Sequence, residues 1–430
     1  MTPVSQLEII DPKRESENQT GRASWYPYYA GFSEKFAHRL ISSAKMALAS
    51  KVSDPWNGSG TTTAAAAGLG HDAFGYDLNP VMVLAARARM LSKREKNSLV
   101  PIGAEIVAGM TSNSLDACEP LTTWFVPEAA ASLRGLERSI QRVLVSADNQ
   151  FSLCTGDRIQ HISDLAAFYY VALFRTTRCL LQRFDATNPT WIKEPDSLKG
   201  RLRTNASDVT AAFQDQVKAM TMAIDGDAVG KDSEVKISVS SSVQIPLPDE
   251  SVDFVLSSPP YCTRIDYAVA TKAELMILGY RTDAEFDELR RKLIGTSTVP
   301  RVAPKVQETW GTSCNAFLEK VGSHRSKASD GYYLKNHLQY FDSIFHSIRE
   351  ISRTLKSGGM CVLVVQDSYY KDVHNDLPQI VVEMSANHDL VIQRQEPFRH
   401  QRTMAGVNPE VRKYRSKIDA VESVLCFSKN

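Results

Sequence analysis

Apolar and polar positions change rhythm several times along the chain, and each change marks an element. From Phe32 to Ala49 the apolar residues Phe36, Leu40, Ile41, Ala44, Met46 and Leu48 recur at mixed helical spacing, which predicts a helix. Lys51 to Ser53 predicts a short strand. It runs through Asp54-Pro-Trp-Asn-Gly-Ser-Gly-Thr-Thr into an alanine-rich helix that stops at Gly68 and Gly70. His71 to Tyr76 predicts a second strand ending in Asp77, and Leu78-Asn79-Pro80 opens a helix over Val81 to Leu91. Two β-α units in succession imply a parallel sheet covered by helices.

From about Pro101 to Ala228 the rhythm becomes helical, and the stretch is too long for a loop, so a helical insertion is expected there. The α/β pattern returns at Val235 to Val239 and at Val252 to Leu256, ahead of Ser257-Ser-Pro-Pro-Tyr. A more polar insertion follows, about Arg281 to Gly331. Leu338 to Leu355 predicts a helix, Lys356-Ser-Gly-Gly a turn and Met360 to Val365 a strand. Leu390 to Gln393 and Ser423 to Phe427 close the chain as an antiparallel hairpin at the sheet edge. The resulting division is a flexible lead-in over 1–24, one α/β domain in parts at 25–100, 231–280 and 332–430, a helical insertion at 101–230 with possible recognition duties, and a smaller insertion at 281–331.

Composition narrows this picture. Charge is almost balanced, 50 basic against 49 acidic residues, so a polyanionic partner needs a local patch. One candidate is the run Arg394, Arg399, Arg402, Arg412, Lys413, Arg415 and Lys417, broken by Glu396 and Glu410. Seven scattered cysteines form no C-x-x-C pair and have no histidine at ligand spacing, so neither a metal site nor a disulfide framework is expected. The polar start and the absence of an apolar run of spanning length predict a cytoplasmic protein with no membrane partner. Oligomeric state is not legible.

Two constellations carry chemistry. Gly58 and Gly60 lie where a strand hands over to a helix, a turn that brings bare backbone and helix N–H groups against a ligand. No Gly-Lys-Ser/Thr follows, and Thr63 stands where a dinucleotide fingerprint wants a small residue, so phosphate binding fits poorly. Asp77, at the end of the next strand, is placed to accept hydrogen bonds from ribose hydroxyls. Ser258-Pro259-Pro260-Tyr261 forms the second constellation, a stiff loop past a strand end with two backbone donors removed. Ser258 Oγ and the Pro259 carbonyl can accept from an aromatic amine while Tyr261 stacks on its ring, which is catalysis by positioning, without metal or covalent intermediate.

Together these residues resemble the site-specific DNA amino-methyltransferases that modify cytosine N4 or adenine N6. Asp54, Pro55, Trp56, Gly58, Ser59, Gly60 and Thr61 lie in a stretch similar to their cofactor motif, and Ser258 to Tyr261 is similar to their catalytic tetrad. The resemblance implies S-adenosylmethionine as cofactor, held also by Phe32 and Ser33 at its methionine part and by Asp77 and Leu78. It implies a doubly wound, mostly parallel seven-stranded sheet with an antiparallel edge hairpin. DNA is the implied partner, with cytosine N4 ahead of adenine N6. RNA as substrate and an inactive nucleic-acid-binding subunit stay open as alternatives. Ser240-Ser241-Ser242 departs from the acid that the family often has after its third strand.

Cys262, beside the tetrad, is read as a wall residue, and Asp266 and Tyr267 as pocket-shaping or capping groups. Trp124, Phe125, Phe168, Tyr169 and Tyr170 are read as core.

Overall fold

Strands buried on both faces read as nearly continuous apolar runs, and three segments of the chain do so: Val52–Asp54, Phe254–Ser257 and Met360–Val365 are buried throughout. They form the centre of a seven-stranded sheet made of β1 (Lys51–Asp54), β2 (Asp72–Asp77), β3 (Val235–Val239), β4 (Val252–Ser257), β5 (Leu355–Gln366), β8 (Leu390–His400) and β9 (Ala420–Lys429). β6 (Ser368–Tyr370) and β7 (Val373–Asn375) form a separate antiparallel ribbon. The sheet order is β3-β2-β1-β4-β5-β9-β8. β1 to β5 pair parallel with one another, and β9 runs antiparallel to both β5 and β8. The computed structural model describes residues 3–14, 20–27, 31–111, 115–116, 118–145, 153, 156–186, 191–226, 228, 233–262, 265–400 and 420–430.

Period-two alternation divides the core. Phe254, Leu256, Met360, Val362 and Val364 face one apolar cluster with the helices Glu34–Ser43 and Pro80–Ala88 and the helical insertion. Val255, Cys361, Leu363 and Val365 face a second cluster with helices Thr312–Gly322, Leu334–Thr354 and Leu377–Ala386, and Val252 joins it across the irregularity between Val252 and Phe254. Helices therefore cover both faces. No helix among the described residues is long and apolar enough to cross a membrane.

The helical insertion is built from helices Pro127–Leu144, Asp164–Leu181 and Ala206–Met222, joined by Lys96–Ala108, which begins before the expected boundary and carries Pro101 inside it. Trp124, Phe125, Phe168, Tyr169 and Tyr170 are all fully buried. Their polar ends are satisfied locally, Trp124 Nε1 by the Lys193 carbonyl at 3.0 Å and Tyr169 Oη by the Leu99 carbonyl at 2.6 Å.

Several elements differ from expectation. The helix expected over 32–49 is Glu34–Ser43, because Lys45 and Ala49 take left-handed φ of 46° and 57°. The turn at Lys356–Gly359 lies inside β5 as a register slip, Val252 pairing with Leu355 and Phe254 with Met360. The edge hairpin is longer than its apolar core suggested, since β8 alternates half-buried and exposed positions throughout. Helix Leu377–Ala386 and the β6–β7 ribbon were not foreseen. The lead-in expected to be flexible is docked where it is described: Val4 and Leu7 are buried, and the Leu7 carbonyl accepts from Arg394 at 2.9 Å.

Candidate functional site

β1 ends at Asp54, whose carboxylate accepts from the Trp56 amide at 3.1 Å and from the Ser257 hydroxyl on the neighbouring β4. Burial pushes this carboxyl up to about 6, against the lowering effect of its hydrogen bonds. The following turn folds back on β2. Asn57 N–H donates to the Tyr76 carbonyl at 2.9 Å, and the Asn57 side chain lies over Gly75, where a Cβ would come within 2.5 Å of Asn57 Cγ. Gly75 is the clearance that lets the turn sit against the strand.

Gly58, at φ 48°, donates its N–H to Asp77 Oδ2 at 3.0 Å, and Asn79 N–H donates to Asp77 Oδ1 at 2.8 Å. Each carboxylate oxygen keeps a lone pair for a ligand. Burial pushes Asp77 up to about 6 as well. Gly60 has φ 83°, and a Cβ there would stand 2.7 Å from Ala86 Cβ. Its smallness serves close packing of the turn on helix Pro80–Ala88.

The tetrad follows β4. Ser258 Oγ donates to the Val364 carbonyl of β5 at 3.0 Å. The Pro260 carbonyl accepts from Tyr340 Oη at 2.8 Å, and Tyr261 N–H donates to Tyr267 Oη at 3.4 Å. Burial holds both phenols protonated. Gly295, at φ 82°, passes so close that a Cβ would lie 2.7 Å from the Tyr261 carbonyl. Helix Leu334–Thr354 and the segment around Gly295 thus brace the loop from behind.

Both bends open onto one cavity of about 1180 Å³, including its mouth. Phe32, Asp54, Pro55, Trp56, Ser59, Thr61, Asp77, Leu78, Ser258, Pro259, Pro260 and Tyr261 line it; Ser33, Gly58 and Gly60 do not. Ser33 caps the helix Glu34–Ser43, accepting from Phe36 N–H at 3.2 Å. The lining residues come from the carboxyl ends of β1, β2, β3 and β4, where the strand order reverses on either side of β1.

Sequence reasoning missed part of the wall. Tyr26, Asn79, Met82, Arg178, Leu293 and Ile294 also line the cavity, as do Ser240 and Ser242, while Tyr267, read as pocket-shaping or capping, lines it too. Asn79 caps its helix through Oδ1 to Val81 N–H at 3.1 Å and reaches Thr271 Oγ1 with Nδ2 at 2.9 Å. Arg178 arrives from the helical insertion and donates to Glu274 and to the Ala270 carbonyl; Glu274 also accepts from Tyr26 Oη at 2.9 Å. A basic residue in the mostly apolar run 164–181 was the signal for it.

Asp266 is a cap, accepting from Val269 N–H at 3.2 Å and paired with Arg290 at 2.6 Å. Cys262 is buried against the second apolar cluster. Of the basic run, Arg394 is committed to Glu396 and the Leu7 carbonyl and Arg399 is exposed. Arg402, Arg412, Lys413, Arg415 and Lys417 lie outside the described residues.

No protein-family model and no curated protein matches the chain. Fold and site alone therefore define its class: an α/β protein with a cleft at the carboxyl ends of its parallel strands.

Proposed function

We propose that the protein is an S-adenosylmethionine-dependent DNA methyltransferase acting on the exocyclic amine of a flipped base, cytosine N4 first and adenine N6 as the alternative. The observation that carries this reading is the shared cavity, lined at once by the Asp54–Thr61 turn, Asp77 and the Ser258–Tyr261 loop. The single reversed strand, β9, in an otherwise parallel seven-stranded sheet supports the doubly wound methyltransferase architecture that the motifs imply.

The residues present fit that donor. Two buried carboxylates, Asp54 and Asp77, line the cavity, no lysine does among the described residues, and Arg178 is already paired with Glu274. This charge pattern disfavours an anionic nucleotide and suits a nucleoside bearing a cationic sulfonium. Asp77 would hold the ribose hydroxyls, and Phe32, Trp56, Leu78 and Met82 offer apolar surface. When bound, the donor supplies an activated methyl carbon.

On the substrate side, the Ser258 hydroxyl proton is committed to Val364, so its free lone pairs can only accept. Together with the Pro259 carbonyl they would take both hydrogens of the target amine and hold its lone pair out of the ring plane. Tyr261 would stack on the extruded base.

Methyl-labelled donor incubated with duplex DNA, single-stranded DNA and structured RNA tests this directly. Label recovered in N4-methylcytosine or N6-methyladenine is expected. Label in RNA alone, or no donor binding by folded protein, would sink the assignment.

A further inference from the structure

Where β8 ends and β9 begins, at the edge of the sheet, three side chains from both ends of the chain converge. His400, the last residue of β8, and Glu422, near the start of β9, are diagonal neighbours on one face, because His400 pairs with Ala420 and Phe398 with Glu422. Asp11 of the docked N-terminal segment completes the group. Their donor atoms all lie within 4.8 Å of one another. His400 Nε2 stands 3.5 Å from Glu422 Oε2 and 3.7 Å from Asp11 Oδ1.

Hydrogen bonding does not account for this arrangement. His400 Nε2 is buried and makes no hydrogen bond. Glu422 is 8% exposed, and no donor of a described residue hydrogen-bonds its carboxylate. A buried imidazole nitrogen left without a hydrogen bond is costly. Two ligands bound at about 2.1 Å in a tetrahedral arrangement stand about 3.4 Å apart, close to both measured separations.

We propose that Asp11, His400 and Glu422 form a site for a divalent transition metal, Zn²⁺ by ligand chemistry, which ties the N-terminal segment to the β8–β9 hairpin. One nitrogen and two carboxylate oxygens suit Zn²⁺ and select against Mg²⁺, which prefers an all-oxygen, largely hydrated shell. Asp11 is exposed, so water can complete the coordination. Lys13 is the nearby opposing charge; its amide donates to Asp11 Oδ1 at 2.9 Å, and its ammonium bears on both His400 and Glu422.

Calorimetric titration of the chelator-treated full-length chain with Zn²⁺ tests the site. One ion per chain is expected, with binding at least tenfold weaker in Glu422→Gln and His400→Ala, several-fold tighter in Lys13→Gln, and resistant to millimolar Mg²⁺. Asp11→Asn provides a surface variant that leaves the core intact, and it too must lose at least tenfold. Zn²⁺ should also raise the melting temperature of the wild type and leave that of Asp11→Asn unchanged. Equal Zn²⁺ affinity in wild type and Asp11→Asn, or displacement by Mg²⁺, overturns the proposal.

Discussion

Gly58 and Asp77, from two different turns, are joined by a 3.0 Å hydrogen bond from the glycine amide to the carboxylate. The glycine turn after β1 and the acid after β2 therefore act as one unit: the turn fixes the acid's carboxylate at the cavity wall, and the amide proton is committed within the protein.

Asp54 and Asp77 give the protein a pH signature. Both carboxyls are raised by burial from 3.8 to about 6. A raised acid stabilises the fold fully below its unfolded pKa, and that contribution is lost as pH rises through the folded value. It amounts to roughly 2–3 kcal/mol per group. Asp77→Asn should therefore flatten the decline in ligand-free stability between about pH 4 and 6, measured as urea midpoints relative to wild type. It should also weaken donor binding at least tenfold. A decline identical to wild type would contradict the burial argument.

Ser258→Ala removes the donor to the Val364 carbonyl and, under the proposed function, an acceptor at the target amine. The expected result is a fall in kcat of about 10–100-fold, on the scale of a lost positioning hydrogen bond in a transition state. Donor affinity should stay within twofold, which equilibrium binding checks. A loss confined to donor affinity would place Ser258 on the wrong side of the cavity.

Ser33 and Phe32 separate two roles that the sequence merged. Ser33→Ala should cost about 1 kcal/mol through the lost helix cap and leave donor affinity unchanged. Phe32→Ala should weaken the donor. Thermal denaturation and calorimetry on the two variants distinguish these effects.

Gly60→Ala should destabilise by about 1–3 kcal/mol, since the new Cβ meets Ala86 and φ is 83°. Denaturant titration at one pH suffices. Gly68→Ala provides the contrast, because its nearest neighbour stands 4.0 Å away, and it should be neutral or stabilising.

Glu274→Gln leaves the Arg178 guanidinium buried without its counter-charge. The expected loss is about 3–5 kcal/mol, read by thermal or chemical denaturation. The pair is also where the helical insertion meets the cavity wall, so the variant should weaken ligand binding as well.

The sequence by itself determined the β-α rhythm, the two bends and most of their residues. Periodicity and turn chemistry are local properties, and Asp54–Thr61 and Ser258–Tyr261 are contiguous. It also placed the edge hairpin and assigned Trp124 and Phe168 to the core. Only tertiary structure decided which side chains face the cavity. Ser33 turned to its helix, Gly60 to Ala86 and Gly58 to Asp77, while Arg178 and Tyr26 reached the cavity from segments with no motif. Likewise, Asp11 meets His400 and Glu422 only because the N-terminal segment packs on a sheet edge formed by the end of the chain. Spacing along a sequence carries no signal for such long-range approach, because burial and packing of the whole core decide it.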